Sequence, residues 1–294
     1  MTLGGPWAFV PNMGDGTISE IDRASGKTTA TIRVGDPQTL LDQGCNPGSE
    51  HAYYYGSWGW RKCDTPFAIA WDGSAVWALD NGLRQLVQVD PVRHRTADRI
   101  SLPGTGWAIA ITGSTAWVSG YADHVLYEVD LGSGRVVATV LNLDLRPASL
   151  AVAGGAVWVA CAGSEGVGYL DRIDPATARV VARYPIGWYS DDVIADAGAM
   201  FVRTGGVVSR VNAGTGASEW TRSGPGFLGR PGIDALGVAP NGFWLGGSST
   251  ERMDSATGQI VETVPIASAA VAYDRGELWL LELDGSVAEL KMTT

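Results

Sequence analysis

The sequence predicts an all-β fold, a seven-bladed β-propeller of four-stranded blades spanning residues 1-294 as one domain. Three observations lead there: a unit of about 40 residues recurs along nearly the whole chain, hydrophobicity alternates with period two inside each unit, and turn formers and aromatics are abundant. The 294 residues include 40 Gly and 12 Trp, with 45% hydrophobic and 18% charged content, which suits many short strands and a large buried core.

The aromatic marker of the repeat falls at Phe9, Trp77, Trp117, Trp158, Phe201, Trp244 and Trp279. Successive intervals are 68, 40, 41, 43, 43 and 35 residues, so only the first breaks the period. A second marker closes the third strand of each unit at Asp22, Asp90, Asp130, Asp174, Asn212 and Asp254, with Lys291 in the seventh place. We call the four strands of a unit a, b, c and d. In the second unit they begin Phe67–Trp71, Ala75–Leu79 and Gln85–Val89, separated by Asp-Gly, Gly-Ser or Asn-Gly turn chemistry. The recurring Trp sits in the middle of strand b, where it is expected to fill the space between adjacent blades. At the chain ends the pattern thins. Strand b of the first unit is Trp7–Pro11, with Met1-Thr2-Leu3 as a stub of strand a, and the last unit stops after strand c at Lys291. An incomplete blade is therefore expected on each side of the closure.

Ser149 to Ala160, followed by Tyr169 to Ala182, resembles the blades of the streptogramin B lyase (virginiamycin B lyase) superfamily and the related YVTN-type propellers. The likeness covers nearly the whole chain and rests on strand and turn residues. It implies a ring closed by an N-terminal strand set beside the last blade, so residues upstream of Met1 are expected to be missing. It also implies a lyase that eliminates across a depsipeptide ester with histidines, an acidic partner and a metal. Those histidines begin central strands, and the matching positions here are Ala235 and Ala269, which cannot move a proton. The architecture carries over as an expectation; the activity does not.

Antiparallel strands put the d-to-a and b-to-c connections on one face and the a-to-b and c-to-d turns on the other. The long segments 36-66, 161-168 and 223-234 all fall on the first face, which makes it the candidate binding face. Segment 36-66 is an aromatic-rich insertion that accounts for the long first interval, and it carries His51, Tyr53, Tyr54, Tyr55, Trp58, Trp60 and Arg61. Such rings suit a planar or sugar-like ligand or a protein partner, or else they pack the insertion onto the blades. Further candidates on this face are Trp107, Tyr121, His124, Trp188, Tyr189, Asp191, Asp192, Arg230 and Asp234. Asp191 and Asp192 could hold a divalent cation or act as acid and base, but neighbours in a strand point to opposite sides, so they converge only if the backbone there is loop. No metal or cofactor is expected.

Cys45 and Cys63 lie within the insertion, on either side of its rings, and could close it as a disulfide in an oxidising compartment, whereas Cys161, ending a strand b, is expected to be a small buried hydrophobe. Of three histidines, His94 belongs to a c-to-d turn on the opposite face, leaving His51 and His124 near the candidate site. A net charge of −10 and a pI near 4.7 disfavour nucleic acid and anionic membranes as partners. No apolar run reaches membrane-spanning length and no signal peptide precedes the first strand, so the chain reads as soluble, and as secreted if a leader lies upstream. A propeller that binds a small molecule, glycan or protein is the first expectation. The alternatives are an enzyme with a relocated site built from Asp191, Asp192, Asp234 or His124 with Arg230, and a sensor or scaffold part of a longer protein.

Overall fold

The computed structural model describes residues 1-36, 38-39, 66-143, 146-163, 167-187, 190-196, 198-204, 206-223, 236-282 and 284-292. The described residues form 27 strands in seven antiparallel sheets, each meandering in chain order. Two compact units divide them, residues 1-141 and 142-294.

The first unit holds three blades. Blade 1 is β1 (Thr2–Gly4), β2 (Trp7–Asn12), β3 (Thr17–Asp22) and β4 (Lys27–Arg33). Blade 2 is β5 (Pro66–Trp71), β6 (Val76–Asp80), β7 (Gln85–Asp90) and β8 (Arg95–Ser101). Blade 3 is β9 (Ile109–Thr112), β10 (Thr115–Gly120), β11 (Val125–Asp130) and β12 (Arg135–Val140). The stub at the start of the chain thus completes its blade: β1 pairs with β2 from Thr2↔Phe9 to Gly4↔Trp7.

The second unit holds four. Blade 4 is β13 (Pro147–Ala153), β14 (Ala156–Cys161), β15 (Gly168–Asp174) and β16 (Arg179–Ile186). Blade 5 is β17 (Ser190–Asp196), β18 (Ala199–Thr204), β19 (Val207–Asn212) and β20 (Ser218–Ser223). Blade 6 is β21 (Leu236–Ala239), β22 (Gly242–Leu245), β23 (Thr250–Asp254) and β24 (Ile260–Val264). Blade 7 has three strands among the described residues, β25 (Ser268–Asp274), β26 (Glu277–Glu282) and β27 (Val287–Lys291), so the incomplete blade lies on the C-terminal side alone.

Both sequence markers have a local physical cause. The strand b aromatics are all at most 2% exposed, from Phe9 to Trp279, and Phe9, Trp77, Trp158, Phe201 and Trp244 sit in clusters that join one blade to the next. Where the marker is Phe, a neighbouring ring takes up the missing indole volume. Trp71 stacks on Phe9 with centroids 5.9 Å apart, over Gly4, where any Cβ would overlap the indole. Phe201 meets Phe243 at 4.2 Å and Trp220 at 5.9 Å. The closing acid of strand c caps the c-to-d turn, as in an Asx turn. Asp22 accepts from the Ser25 N–H at 2.8 Å, Asp130 from Ser133 at 2.6 Å and Asp254 from Thr257 at 2.8 Å. Asn212 does the same for Gly214 and Thr215, which is why an amide replaces the acid there without loss of the turn.

Candidate functional site

At the d-to-a and b-to-c end of the first unit, three rings from three different elements converge. Trp107, in the connection from blade 2 to blade 3, lies 4.9 Å from Phe67 at the start of β5 and 4.8 Å from Tyr121 just past β10. Trp107 and Tyr121 are 4% and 8% exposed. The backbone around Trp107 is an extension of the blade 3 ladder. Its N–H donates to the Ser119 carbonyl at 2.7 Å, and the Ala108 N–H donates to Ser119 Oγ at 3.0 Å. One residue earlier, Gly106 is clamped by Asn81, whose amide donates to the Gly106 carbonyl at 2.7 Å and accepts from its N–H at 2.8 Å, all buried. A Cβ at Gly106 would press on Leu79 and Val118 at 2.9 Å, so only glycine lets the chain pass close enough to place the neighbouring indole. Beside this cluster the Tyr127 hydroxyl donates to Asp123 at 3.0 Å. Burial first, and then the Asp123 carboxylate, hold the Tyr127 phenol above its ordinary range.

At the same end of the second unit the described polar groups form a buried seam. Ser149, on β13, donates to Asp192 Oδ1 at 3.2 Å and accepts from the Val193 N–H at 3.1 Å, stitching the inner strands of blades 4 and 5. Asp192 and Arg203 are cross-strand partners in blade 5, each 5% exposed. Arg203 donates to the Gly246 carbonyl at 2.9 Å, and Gly246 in turn abuts Ser268 of blade 7, where a Cβ would come to 2.7 Å of Oγ. Ser268 shares a 2.8 Å hydrogen bond with Thr250, which also donates to the Ile266 carbonyl at 2.8 Å. A buried carboxylate and guanidinium with hydroxyl and carbonyl partners can hold backbone strands in register, or can present a fixed dipole to a ligand at their rim.

The sequence-derived candidates distribute as follows. Tyr55, Trp58, Trp60, Arg61, Trp188, Tyr189, Arg230 and Asp234, with Cys45 and Cys63, lie outside the described residues. Asp191 lies in β17, where the ladder to β18 shifts register between Ser190 and Asp192, so it is the extra residue of a bulge. Similar shifts mark the starts of β13 and β25. His124 is in the b-to-c turn at φ 57° and leads directly into β11. No group of three or more His, Cys, Asp or Glu residues placed to hold a metal occurs among the described residues. Cys161 is fully buried.

Two features escaped the sequence reading. The seam residues Ser149, Arg203, Thr250 and Ser268 are polar groups at inward positions of otherwise apolar strand ends, a signal present in the alternation but overshadowed by the loops. His94, expected as a solvated turn residue, places Nδ1 3.2 Å from the fully buried Glu20 of the preceding blade, which also accepts from Thr29 at 2.9 Å.

No protein-family profile matches the chain, and no curated protein matches it by sequence. Solved structures do match. A chain of the Kuenenia stuttgartiensis hydrazine synthase superposes with a TM-score of 0.77 at 16% identity, over 99% of this chain and 94% of that one. The computationally designed Ika8 protein superposes with a TM-score of 0.67 at 13% identity, over 99% and 82%. Identities this low carry the architecture without the activity. With the seven meandering sheets, these likenesses establish the protein as a seven-bladed β-propeller.

Proposed function

We propose that the protein is a binding propeller, taking a small molecule, glycan or protein partner on the face that carries the d-to-a and b-to-c connections. The observation that supports this reading is the Phe67–Trp107–Tyr121 cluster. Phe67 follows directly in sequence on the aromatic segment 36-66, and the blades bury Trp107 and Tyr121 beside it. Rigid aromatic surface recognises ligands at low entropic cost, because little rotor freedom remains to be lost on binding. In this reading Tyr55, Trp58, Trp60 and Arg61 supply contacts to the ligand. Trp188, Tyr189, Arg230 and Asp234, in d-to-a connections of the sequence pattern, are further candidates. The relation to streptogramin B lyases is one of architecture, with Ala235 and Ala269 standing where that family places its histidines.

A thermal-shift screen against divalent cations, glycans and cyclic depsipeptides tests the reading, run in parallel on a Trp58→Ala/Trp60→Ala variant. A ligand that raises the melting temperature of the parent and leaves the variant unmoved is the expected result. Ligands that shift both proteins equally would place binding elsewhere and overturn it. Turnover of a depsipeptide ester by the parent would favour the alternative of an enzyme with a relocated site built from Asp191, Asp192, Asp234 or His124 with Arg230.

A further inference from the structure

A groove lies on the flank of the second unit, between blades 4 and 5. Its volume is about 610 Å³, and it runs from Thr204 and Val207 at the loop-bearing end of blade 5 to Gly216 and Ser218 at the other. This is the size of a small-molecule pocket. Comparison between blades explains why it is open.

In blades 2 and 4 the corresponding gap is filled by an arginine of strand d. Arg99 pairs across the ladder with Val87, and Arg183 with Asp171. Each guanidinium reaches back to a carbonyl just past strand d of the preceding blade: Arg99 to Val34 at 2.7 Å, Arg183 to Asn142 at 2.9 Å. Each also faces a fully buried acid, Asp80 at 3.7 Å for Arg99 and Asp171 at 2.6 Å for Arg183. In blade 3 the cross-strand pair at this register is Tyr127 and Thr139, and the Tyr127 ring packs against Leu102 in the core.

Blade 5 has neither device. The pair at this register is Ser209 and Thr221, whose hydroxyls hydrogen-bond to each other at 3.0 Å. Thr204, three residues past the aromatic marker Phe201, stands where blade 2 has Asp80 three past Trp77. Ile186, two past the ladder partner of Leu170, stands where blade 1 has Val34 and blade 3 has Asn142. Thr204, Ser209, Thr221 and Ile186 all line the groove. Arginine and both acids have therefore been replaced together by small neutral groups, while the Tyr184 ring and the buried Leu170, Val202 and Val211 make an apolar floor.

We propose that this groove binds a neutral small molecule with an apolar body and one amide or hydroxyl group, which takes the place that the arginine side chain fills in blades 2 and 4. Among the described residues the lining has no charged side chain to compensate an ionised ligand, so a neutral ligand is favoured over a cation or anion. The ligand's polar group meets the Ser209 and Thr221 hydroxyls and the backbone at Ile186.

Benzamide is the probe, titrated into the full chain and followed by amide NMR shifts. The expected result is saturable movement centred on Thr204, Ser209 and Thr221, with affinity at least tenfold weaker in a Ser209→Asp/Thr221→Arg variant that rebuilds the blade 4 arrangement. Should that variant not fold, Val207→Trp, at a 37% exposed position on the groove, occludes the site without burying a charge and gives the same loss. Absence of saturable shifts at these residues, or undiminished affinity in the folded occluding variant, overturns the proposal.

Discussion

Replacing Arg183 by Met tests how an outer strand is fastened to its neighbours. Arg183 makes two hydrogen bonds to Asp171, at 2.6 and 2.8 Å, and a third to the Asn142 carbonyl. The Asp171 side chain is 0% exposed and that of Arg183 38%. Removing one partner of a fully buried ion pair costs about 3–5 kcal/mol, because the other charge stays buried. Here the guanidinium is partly in water, and solvent entering its place softens the loss. An expected cost of about 2–3 kcal/mol results. With an unfolding entropy of ~2.1 cal/mol/K per residue, a single transition of the whole chain would move by about 3–5 °C. The decisive assay is a double-mutant cycle in guanidinium chloride with Asp171→Leu and Arg183→Met. The double variant should lose at least about 1.5 kcal/mol less than the sum of the single losses, since two apolar side chains leave no stranded charge. Coupling within about 0.5 kcal/mol of zero would refute the claim that this pair is energetically one unit.

Three other outcomes follow from the same geometry. Trp77 donates its indole N–H to Asp72 at 2.7 Å, whereas the buried Trp117 Nε1 has no hydrogen-bond partner among the described residues. Trp77→Phe should therefore lower stability by about 1 kcal/mol more than Trp117→Phe in chemical denaturation, the difference being one charge-assisted hydrogen bond. The turn acids give a pH dependence. A hydrogen bond from the Thr257 hydroxyl, then one from its N–H, hold Asp254 below its ordinary value, and the Ser25 and Ser133 bonds do likewise for Asp22 and Asp130. A depressed folded-state pKa contributes stability that is present above the unfolded value near 3.9 and is lost as pH falls through the folded value. Melting temperature should thus fall below about pH 4 from these groups, and Asp254→Asn should flatten that fall while keeping the turn, as Asn212 does in blade 5; an unchanged acid limb would contradict the assignment. Finally, Trp107→Ala should cost about 3–5 kcal/mol by removing a core-like ring, and any ligand found on that face should bind the variant more weakly. Retained affinity would detach the cluster from the binding face.

Much of the blade architecture was legible because its causes are local. Period-two alternation, the strand b aromatic and the acid that caps the c-to-d turn each act within a few residues, so each leaves a mark at fixed spacing. The blade boundaries follow from those marks, including the short β1, although Met1-Thr2-Leu3 reads as too little to complete a blade. The candidate face was legible in outline from connection lengths. Its detail was not, since Trp107, Phe67 and Tyr121 lie in different units of the repeat and no spacing shows that they touch.

Sequence alone determined the all-β class, the number of repeats and the turn chemistry. Tertiary structure decided what each polar side chain does. Asp192 binds Ser149 of the next inner strand, His94 meets a buried glutamate from the blade before it, and the arginine staples of blades 2 and 4 give way to an open groove in blade 5. The reason is that the Asp192–Ser149 and His94–Glu20 contacts, and the arginine bonds to the Val34 and Asn142 carbonyls, join residues 41 or more positions apart, across blade interfaces. Their energy depends on burial and on distances of a few ångströms, and neither quantity is carried by any one repeat.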